Sequence, residues 1–193
     1  QRTQQDMSEV YAKGEVMRNG DWMETYTGKK FWPLDPRAEE ICIEDIAHAL
    51  SMLCRFGGHC REFYSVAQHS CLVADIVATA EPGHVLTALL HDAAEAYTGD
   101  VIRPIKRSEP KIGAAEEAVM REVARKFGLT FPFPDVVKWA DNVMLKNEHR
   151  QLMAGVNEWP SCDQEEGPQV ETLPWTPTYA ESVFLRKFEE LHR

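Results

Sequence analysis

The sequence predicts an all-α fold, a single helical bundle with long loops. Apolar residues recur at helical spacing along most of the chain, and almost no segment alternates apolar and polar residues as a half-buried strand does. The 193 residues suffice for one domain with a hydrophobic core but are short for two. Hydrophobic residues make up 44% and charged residues 27%, which is typical of a folded globular protein.

The first three predicted helices occupy the middle of the chain. The first covers Ile43–Cys54, where apolar residues follow one helical face. Ser65-Val-Ala-Gln68 has the pattern of a capping box, so a second helix should begin there. A third helix should cover roughly His84 to Tyr97 and stop at Gly99.

Three more helices follow. Pro110 suits the first turn of a helix that continues to Gly128. Another helix should cover about Asp135 to Met153, and Tyr179–Leu191 is a closing amphipathic helix. Between them, residues 154–177 are rich in Pro and Glu without a period and are expected to form a long surface loop.

Residues 1–40 are expected to form an N-terminal extension that packs on the main domain of residues 41–193. Within the extension, Lys29–Trp32 is a candidate for a short strand. The five tryptophans are assigned to packing.

Charge and cysteine content restrict the partners and the compartment. The formal net charge of −10 repels a polyanion, so a nucleic-acid polymer and a membrane surface are not expected as partners. No apolar run approaches the length of about 18–20 residues that spans a bilayer. Five cysteines without a CxxC pair or a zinc-finger spacing favour reduced thiols and a cytoplasmic protein.

Ionisable residues occur where the predicted helices should be buried. His69 lies at the border of the apolar stripe of its helix, although a lone histidine there is more often a hydrogen-bonded core residue than a ligand. His91-Asp92 directly follows an apolar pair, and Glu95 is one turn further on. Asp141 interrupts the apolar stripe of its helix. Burying such groups is costly unless they are paired or bound to a cation.

Two histidines and two carboxylates from three predicted helices form a candidate metal site. A buried salt-bridge cluster would explain two of the groups around His91 but not easily all three. Mixed nitrogen and oxygen ligands suit one divalent ion, Mn²⁺, Co²⁺, Fe²⁺, Zn²⁺ or Mg²⁺, and leave positions open for water and substrate. An open site is typical of catalysis.

The order of these motifs resembles that of the HD superfamily of metal-dependent phosphohydrolases. His91-Asp-Ala-Ala-Glu95 and the residues up to Lys106 are similar to the branch that contains bacterial 5′-deoxynucleotidases and phage or bacterial deoxynucleoside triphosphohydrolases. Arg55-Phe-Gly-Gly-His59 before the first histidine, and Ala140-Asp141-Asn142 through Glu148, also fit this branch. The bacterial monophosphatases usually have Arg-Trp where this chain has Arg55-Phe56, which bears on base contact.

The resemblance implies a role for each matched residue. Glu95 would orient or deprotonate a water, and Asp100 would assist proton transfer. The ion would be held by His69, His91, Asp92 and Asp141. Contacts to the substrate would come from Arg55, Phe56, His59, Arg103 and Lys106, with Arg107 as a further candidate for phosphate.

The expected function is hydrolysis of (deoxy)nucleotides, in which a water activated at the metal attacks the α-phosphate. The sequence leaves open whether the products are nucleoside and phosphate or nucleoside and tripolyphosphate, and the resemblance leans toward deoxyadenine nucleotides. Enzymes of this branch are often dimers or higher oligomers, so the resemblance is compatible with a homo-oligomer. The alternatives are a non-catalytic or regulatory nucleotide-binding module and a di-iron oxygenase. The oxygenase needs extra histidines, and residues 93–140 contain none.

Overall fold

Helices dominate the computed structural model, which describes residues 17–159 and 165–192. Two short strands, β1 (Met23–Glu24) and β2 (Lys30–Phe31), pair antiparallel with Met23 opposite Phe31. The helices are α1 (Ile43–Met52), α2 (Val66–Ala80), α3 (Val85–Leu89), α4 (Glu95–Thr98), α5 (Arg103–Ser108), α6 (Pro110–Phe127), α7 (Asp135–Leu152) and α8 (Pro177–Leu191). Three 3₁₀ turns cover Ala38–Glu40, Arg55–Gly58 and Pro82–His84. The all-α prediction is confirmed, and the strand predicted within Lys29–Trp32 is β2.

Helix α2 lies at the centre of the bundle, where it packs against α1, α3, α7 and α8. Its buried side chains include Val73 and Val77, which join Leu50 of α1 and Phe184 of α8 in one hydrophobic core. Full burial of each such side chain contributes roughly 1.5–3 kcal/mol to folding. The central position of α2 places its polar residues, His69 among them, inside the bundle.

The N-terminal segment packs on this core over its described residues. Phe31 is fully buried and stacks on Tyr97, with ring centroids 4.0 Å apart. Arg18 pairs with Asp35 at 2.7 Å and also with Glu40. The part of the predicted extension before residue 17 lies outside the described residues, as does Cys162. The described cysteines, 42, 54, 60 and 71, are free thiols.

The start of α2 follows the predicted cap only in part. The Ser65 hydroxyl accepts a hydrogen bond from the Gln68 N–H at 3.1 Å, as the capping pattern predicts. The Gln68 side chain does not close the box. Its amide instead donates to the Leu173 carbonyl at 2.7 Å and accepts from the Trp175 N–H at 2.9 Å. The loop that crosses here needs partners for its backbone groups, and the amide supplies two of them.

The third predicted helix is wrong in its continuity. Helix α3 ends at Leu89, the chain turns through residues 90–94, and α4 begins at Glu95. The ring of His91 hydrogen-bonds the Ala88 carbonyl oxygen at 2.8 Å within this turn. Adjacent residues of a regular helix point about 100° apart. The turn allows His91 and Asp92 to reach the same point.

The second half of the chain agrees closely with the prediction. Helix α6 ends at Gly128, which adopts a left-handed conformation (φ 67°). The described parts of the predicted loop, 154–159 and 165–176, contain no helix or strand. Amide side chains of Asn147 and Gln151 on α7 hydrogen-bond the returning backbone at Val170. Helix α5 was not predicted from the sequence.

No helix among the described residues is long and apolar enough to cross a membrane.

Candidate metal centre and cavity

Two histidines and a carboxylate meet at one point inside the bundle. His69 projects from α2, His91 from the turn after α3, and Asp141 from α7. One ligand atom from each lies within 4.8 Å of the other two. Asp141 Oδ1 is 3.2 Å from His69 Nε2 and 4.0 Å from His91 Nε2. Atoms about 2.1 Å from a shared ion lie roughly 3.0–4.2 Å apart, so this group could hold a metal ion.

The remaining predicted ligand, Asp92, lies beside the same atoms. Its Oδ2 is 3.3 Å from His91 Nε2 and 3.7 Å from His69 Nε2. The same oxygen is 3.6 Å from Nη1 of Arg55. The structure therefore brings all four predicted ligand residues together.

The hydrogen bonds of the two imidazole rings suit a bound cation. His91 Nδ1 donates to the Ala88 carbonyl oxygen at 2.8 Å, because a carbonyl can only accept. His69 Nδ1 donates to Glu148 Oε1 at 2.6 Å. Both Nε2 atoms are buried and, among the described residues, make no hydrogen bond of good geometry, in spite of the nearby carboxylates. This pattern is typical of metal-ligating histidines, in which the second nitrogen is fixed by an acceptor.

The charges around His69 set the protonation states of metal-free protein. Burial and the Arg55 guanidinium act to lower the pKa of His69, but Glu148 and Asp141 outweigh them and raise it to about 9. Burial alone would raise the pKa of Asp141, yet the positive charge of the adjacent His69 ring holds it well below its ordinary value. In metal-free protein a proton on His69 therefore occupies part of the space that a cation would take.

Glu148 is a central residue to which the sequence analysis gave no role. It is fully buried on α7, and its Oε2 accepts from Arg55 Nε at 3.1 Å and lies 2.9 Å from Arg55 Nη2. Burial acts to raise the pKa of Glu148, but Arg55 and His69 hold it below the ordinary value, so the group is a carboxylate. The signal in the sequence was the spacing of seven from Asp141, which puts both residues on one helical face.

A cavity of about 530 Å³ opens beside the ligand cluster. Six of the seven residues predicted to bind the substrate or catalyse its reaction line the cavity: Arg55, Phe56, Glu95, Asp100, Arg103 and Lys106. Asp92 and Arg107 line it as well. His59 is exposed and is not part of the lining. No site role was predicted from the sequence for seven other lining residues: Val101, Ile102, Pro104, Glu116, Leu145, Met153 and Trp159.

The carboxylates of the cavity are held beside cations. Lys106 Nζ lies 3.1 Å from Glu95 Oε1 and 2.7 Å from Glu116 Oε2. Burial, together with Asp92 and Asp100, raises the pKa of Glu95 well above its ordinary value, although Lys106 acts to lower it. Burial also raises the pKa of Asp100. A raised pKa favours the protonated form, and carboxyl groups perturbed in this way beside a cavity are candidates to accept and donate protons.

One wall of the cavity is aromatic. Phe56 adopts a left-handed backbone conformation (φ 58°, ψ 25°), which is uncommon for a residue other than glycine. Its ring lies 5.3 Å from the Arg55 guanidinium and 5.9 Å from the Trp159 ring. Trp159 in turn stacks on His149, with centroids 4.3 Å apart. The assignment of Trp159 to packing alone is therefore corrected, because its ring also lines the cavity.

Comparison with known proteins places the chain among uncharacterized relatives. The chain is 35% identical to "Uncharacterized protein YfdR" of Escherichia coli (strain K12) over 174 residues, which cover 88% of this chain and 95% of YfdR. The chain belongs to the YfdR family. "Uncharacterized protein RCAP_rcc00048" of Rhodobacter capsulatus is 38% identical to it over 149 residues, 71% of this chain and 75% of that protein. No protein-family model matches the chain. Neither relative's name states an activity.

Proposed function

We propose that this YfdR-family protein is a divalent-metal-dependent phosphohydrolase that acts on (deoxy)nucleotides. The observation that carries the proposal is the convergence of His69, His91 and Asp141 next to a cavity lined by acidic, basic and aromatic side chains. The resemblance of the motifs to the HD superfamily points to the same reaction.

The proposed ligand set adds Asp92, whose Oδ2 lies 3.3 Å from His91 Nε2 and 3.7 Å from His69 Nε2. Two nitrogens and two oxygens suit Mn²⁺, Co²⁺, Fe²⁺, Zn²⁺ or Mg²⁺ and leave coordination positions for other molecules. A divalent ion at such a site lowers the pKa of a water and polarises a phosphoryl oxygen.

Two cavity carboxyl groups are proposed to manage the protons. Glu95 is buried, its Oε1 faces Lys106, and its Oε2 makes no hydrogen bond to a described residue. That second oxygen is available to accept the proton of the attacking water. Asp100, which lines the same cavity, is proposed to return a proton to the leaving oxygen of the nucleoside.

The basic and aromatic side chains that line the cavity support a nucleotide as the proposed substrate. Arg55 presents a planar guanidinium that suits two oxygens of a phosphate, and Arg103, Lys106 and Arg107 add positive charge along the same wall. Trp159 and Phe56 offer flat faces for a base, and the lean toward deoxyadenine comes from the resemblance alone. A mixed lining of this kind offsets the repulsion that the acidic chain exerts on an anionic substrate.

The test is an activity panel on metal-stripped protein that is resupplied with Mn²⁺, Co²⁺, Zn²⁺, Fe²⁺ or Mg²⁺ singly. Each sample receives dAMP, AMP, dATP, dGTP or ATP, and ion-exchange chromatography resolves the products. Nucleoside with phosphate identifies a nucleotidase, and nucleoside with tripolyphosphate identifies a triphosphohydrolase. Bound nucleotide without turnover under any metal would replace the proposal with a regulatory binding module.

Variants of the ligand cluster make the panel specific. Asp141→Asn removes one anionic ligand and should abolish both metal retention and turnover, whereas Asp21→Asn at an exposed position should leave both unchanged. Inductively coupled plasma mass spectrometry measures the metal content, and circular dichroism measures the fold, so loss of the ion can be distinguished from unfolding. Full activity of the Asp141→Asn variant would remove this cluster from the reaction.

A further inference from the structure

Glu148 connects two functional groups that otherwise belong to different parts of the site. Its Oε1 lies 2.6 Å from His69 Nδ1, on the far side of the ring from the ligand cluster. Its Oε2 lies 2.9 Å from Nη2 and 3.1 Å from Nε of Arg55. His69 and Arg55 come from α2 and from the turn before it, so one carboxylate of α7 joins both.

The buried environment of Glu148 requires that both of its carboxylate oxygens have partners. The side chain is fully buried, and a buried carboxylate is costly unless its oxygens are hydrogen-bonded and its charge is matched. Its two oxygens divide between the two partners. A change at either partner therefore changes the charge and position that Glu148 presents to the other.

Arg55 reaches the ligand cluster by a second route. Its Nη1 is 3.6 Å from Asp92 Oδ2, the oxygen that lies 3.3 Å from His91 Nε2. Arg55 also lines the cavity, whereas Glu148 does not. The guanidinium thus has one edge on Glu148 and one edge near the place where an anion would bind.

We propose that Glu148 is a positioning residue that couples metal binding at His69 to anion binding at Arg55. It fixes the His69 ring with Nε2 toward the ion, and it fixes the Arg55 guanidinium with Nη1 toward the cavity. A metal ion and a phosphate then bind cooperatively, each tightening the other by the same factor. The proposal rests on the proposed function for its two ligands, but its test needs no turnover.

The test measures binding of Mn²⁺ by the loss of the free-ion electron paramagnetic resonance signal, with and without inorganic phosphate. In wild-type protein, phosphate should lower the Kd for Mn²⁺ by about 5- to 100-fold, the usual range of such coupling. Glu148→Gln keeps the shape and one acceptor oxygen but loses the charge. We expect its Kd for Mn²⁺ to rise about 10- to 100-fold and the effect of phosphate to fall below about twofold.

Two further variants keep the inference falsifiable. Glu189→Gln, at an exposed position of α8, is the matched control and should behave as wild type. Arg55→Lys retains a charge but loses the planar fork, so its Kd for Mn²⁺ should rise less than that of Glu148→Gln and the effect of phosphate should be lost. If Glu148→Gln does not fold, which circular dichroism reports, a phosphate effect that persists in Arg55→Lys still overturns the coupling.

The outcomes separate this inference from the proposed hydrolase activity. A wild-type Kd for Mn²⁺ that does not respond to phosphate overturns the coupling, whether or not the protein is an enzyme. An unchanged phosphate effect in folded Glu148→Gln, or in Arg55→Lys, overturns it as well. If the variants abolish cooperative binding in a protein that hydrolyses no nucleotide, that outcome supports the coupling and contradicts the proposed hydrolase activity.

Discussion

Lys106 Nζ lies 3.1 Å from Oε1 of Glu95, so an ammonium group is held against a buried carboxyl group in the wall of the cavity. Lys106 was expected from the sequence to bind phosphate. The contact gives it a second effect, because the ammonium acts to lower the pKa of Glu95 while burial and the neighbouring carboxylates raise it. The pair thereby adjusts the pH at which Glu95 can accept a proton.

Replacing Lys106 by Met should move the acidic limb of the pH profile of kcat/KM to higher pH. The ammonium favours the ionised form of Glu95, and without it the carboxyl group keeps its proton to a higher pH. An opposite charge at such a distance shifts a carboxyl pKa by roughly 1–3 units, so a displacement of about one pH unit or more is expected. Lys111→Met, at an exposed position of α6, is the control. A limb that stays in place would disconnect Lys106 from the proton transfer.

Replacing Glu95 by Gln should remove the base and leave the binding functions. The amide has nearly the same shape but cannot take a proton, so kcat should fall about 10²- to 10⁴-fold. The Kd for Mn²⁺ and the KM for nucleotide should stay within about threefold of wild type, since Glu95 is not a proposed ligand of either. Steady-state kinetics and metal titration check this expectation. A wild-type kcat would exclude Glu95 from the reaction.

The affinity of the site for Mn²⁺ should increase with pH from about 6.5 to 8.5. In metal-free protein the pKa of His69 is raised to about 9 by Glu148 and Asp141 against the effects of burial and Arg55. An incoming ion must therefore displace about one proton, and the affinity should gain about tenfold per pH unit until it levels off near pH 9. Calorimetry in buffers of different ionisation enthalpy counts the released protons. An affinity that is flat over this range would contradict the protonated state of His69.

Removing the Trp159 ring should weaken nucleotide binding more than it slows the chemistry. Stacking of a base on an aromatic ring is worth about 1–3 kcal/mol, so Trp159→Ala should raise the KM for nucleotides about 5- to 100-fold with a small change in kcat. Inhibition by ribose 5-phosphate, which has no base, should not change. Trp22→Ala, at an exposed ring outside the cavity lining, serves as control. If binding of nucleotide and of ribose 5-phosphate weakened equally, Trp159 would support the structure of the cavity and would not stack on a base.

The cluster of His69, His91 and Asp141 could be predicted because its residues conflict with their surroundings. A histidine or aspartate on an apolar helical stripe needs a partner, and His69 and Asp141 are such residues. The bounds of α6 were equally predictable, because Pro110 and Gly128 mark its ends by local backbone preference. In each case the signal is contained in a few consecutive residues.

The parts that could not be predicted depend on contacts between distant segments. The Glu148 carboxylate meets Arg55 across 93 positions and His69 across 79, and no local pattern contains these separations. The break after Leu89 was hidden because apolar residues continue through it while the His91 ring binds the Ala88 carbonyl. Trp159 follows α7 without any periodic pattern, and only the folded chain brings it beside Phe56.

Asp45, a buried residue in the first turn of α1, holds the preceding loop by hydrogen bonds to both of its carboxylate oxygens. Its Oδ1 accepts a hydrogen bond from the Thr27 N–H at 2.7 Å, and its Oδ2 accepts from the Thr27 hydroxyl at 3.0 Å and the Cys42 thiol at 2.9 Å. An amide offers a single acceptor oxygen, so Asp45→Asn should lower the free energy of unfolding by about 1–3 kcal/mol at pH 7. Urea denaturation measures this loss, with exposed Glu44→Gln as the control.

The pH dependence of the same variant tests the charge of Asp45 separately from its packing. Burial acts to raise the pKa of Asp45, but hydrogen bonds from Cys42 and Thr27 outweigh it and hold the pKa below the ordinary value of 3.8. A depressed pKa in the folded state stabilises the protein above the pKa of the unfolded chain, and this contribution is lost as the pH falls through the folded value. The difference between wild type and Asp45→Asn should therefore be constant from pH 7 to about 5 and shrink below about pH 4. A difference that persists unchanged in acid would assign the loss to packing and remove the carboxylate charge from the account.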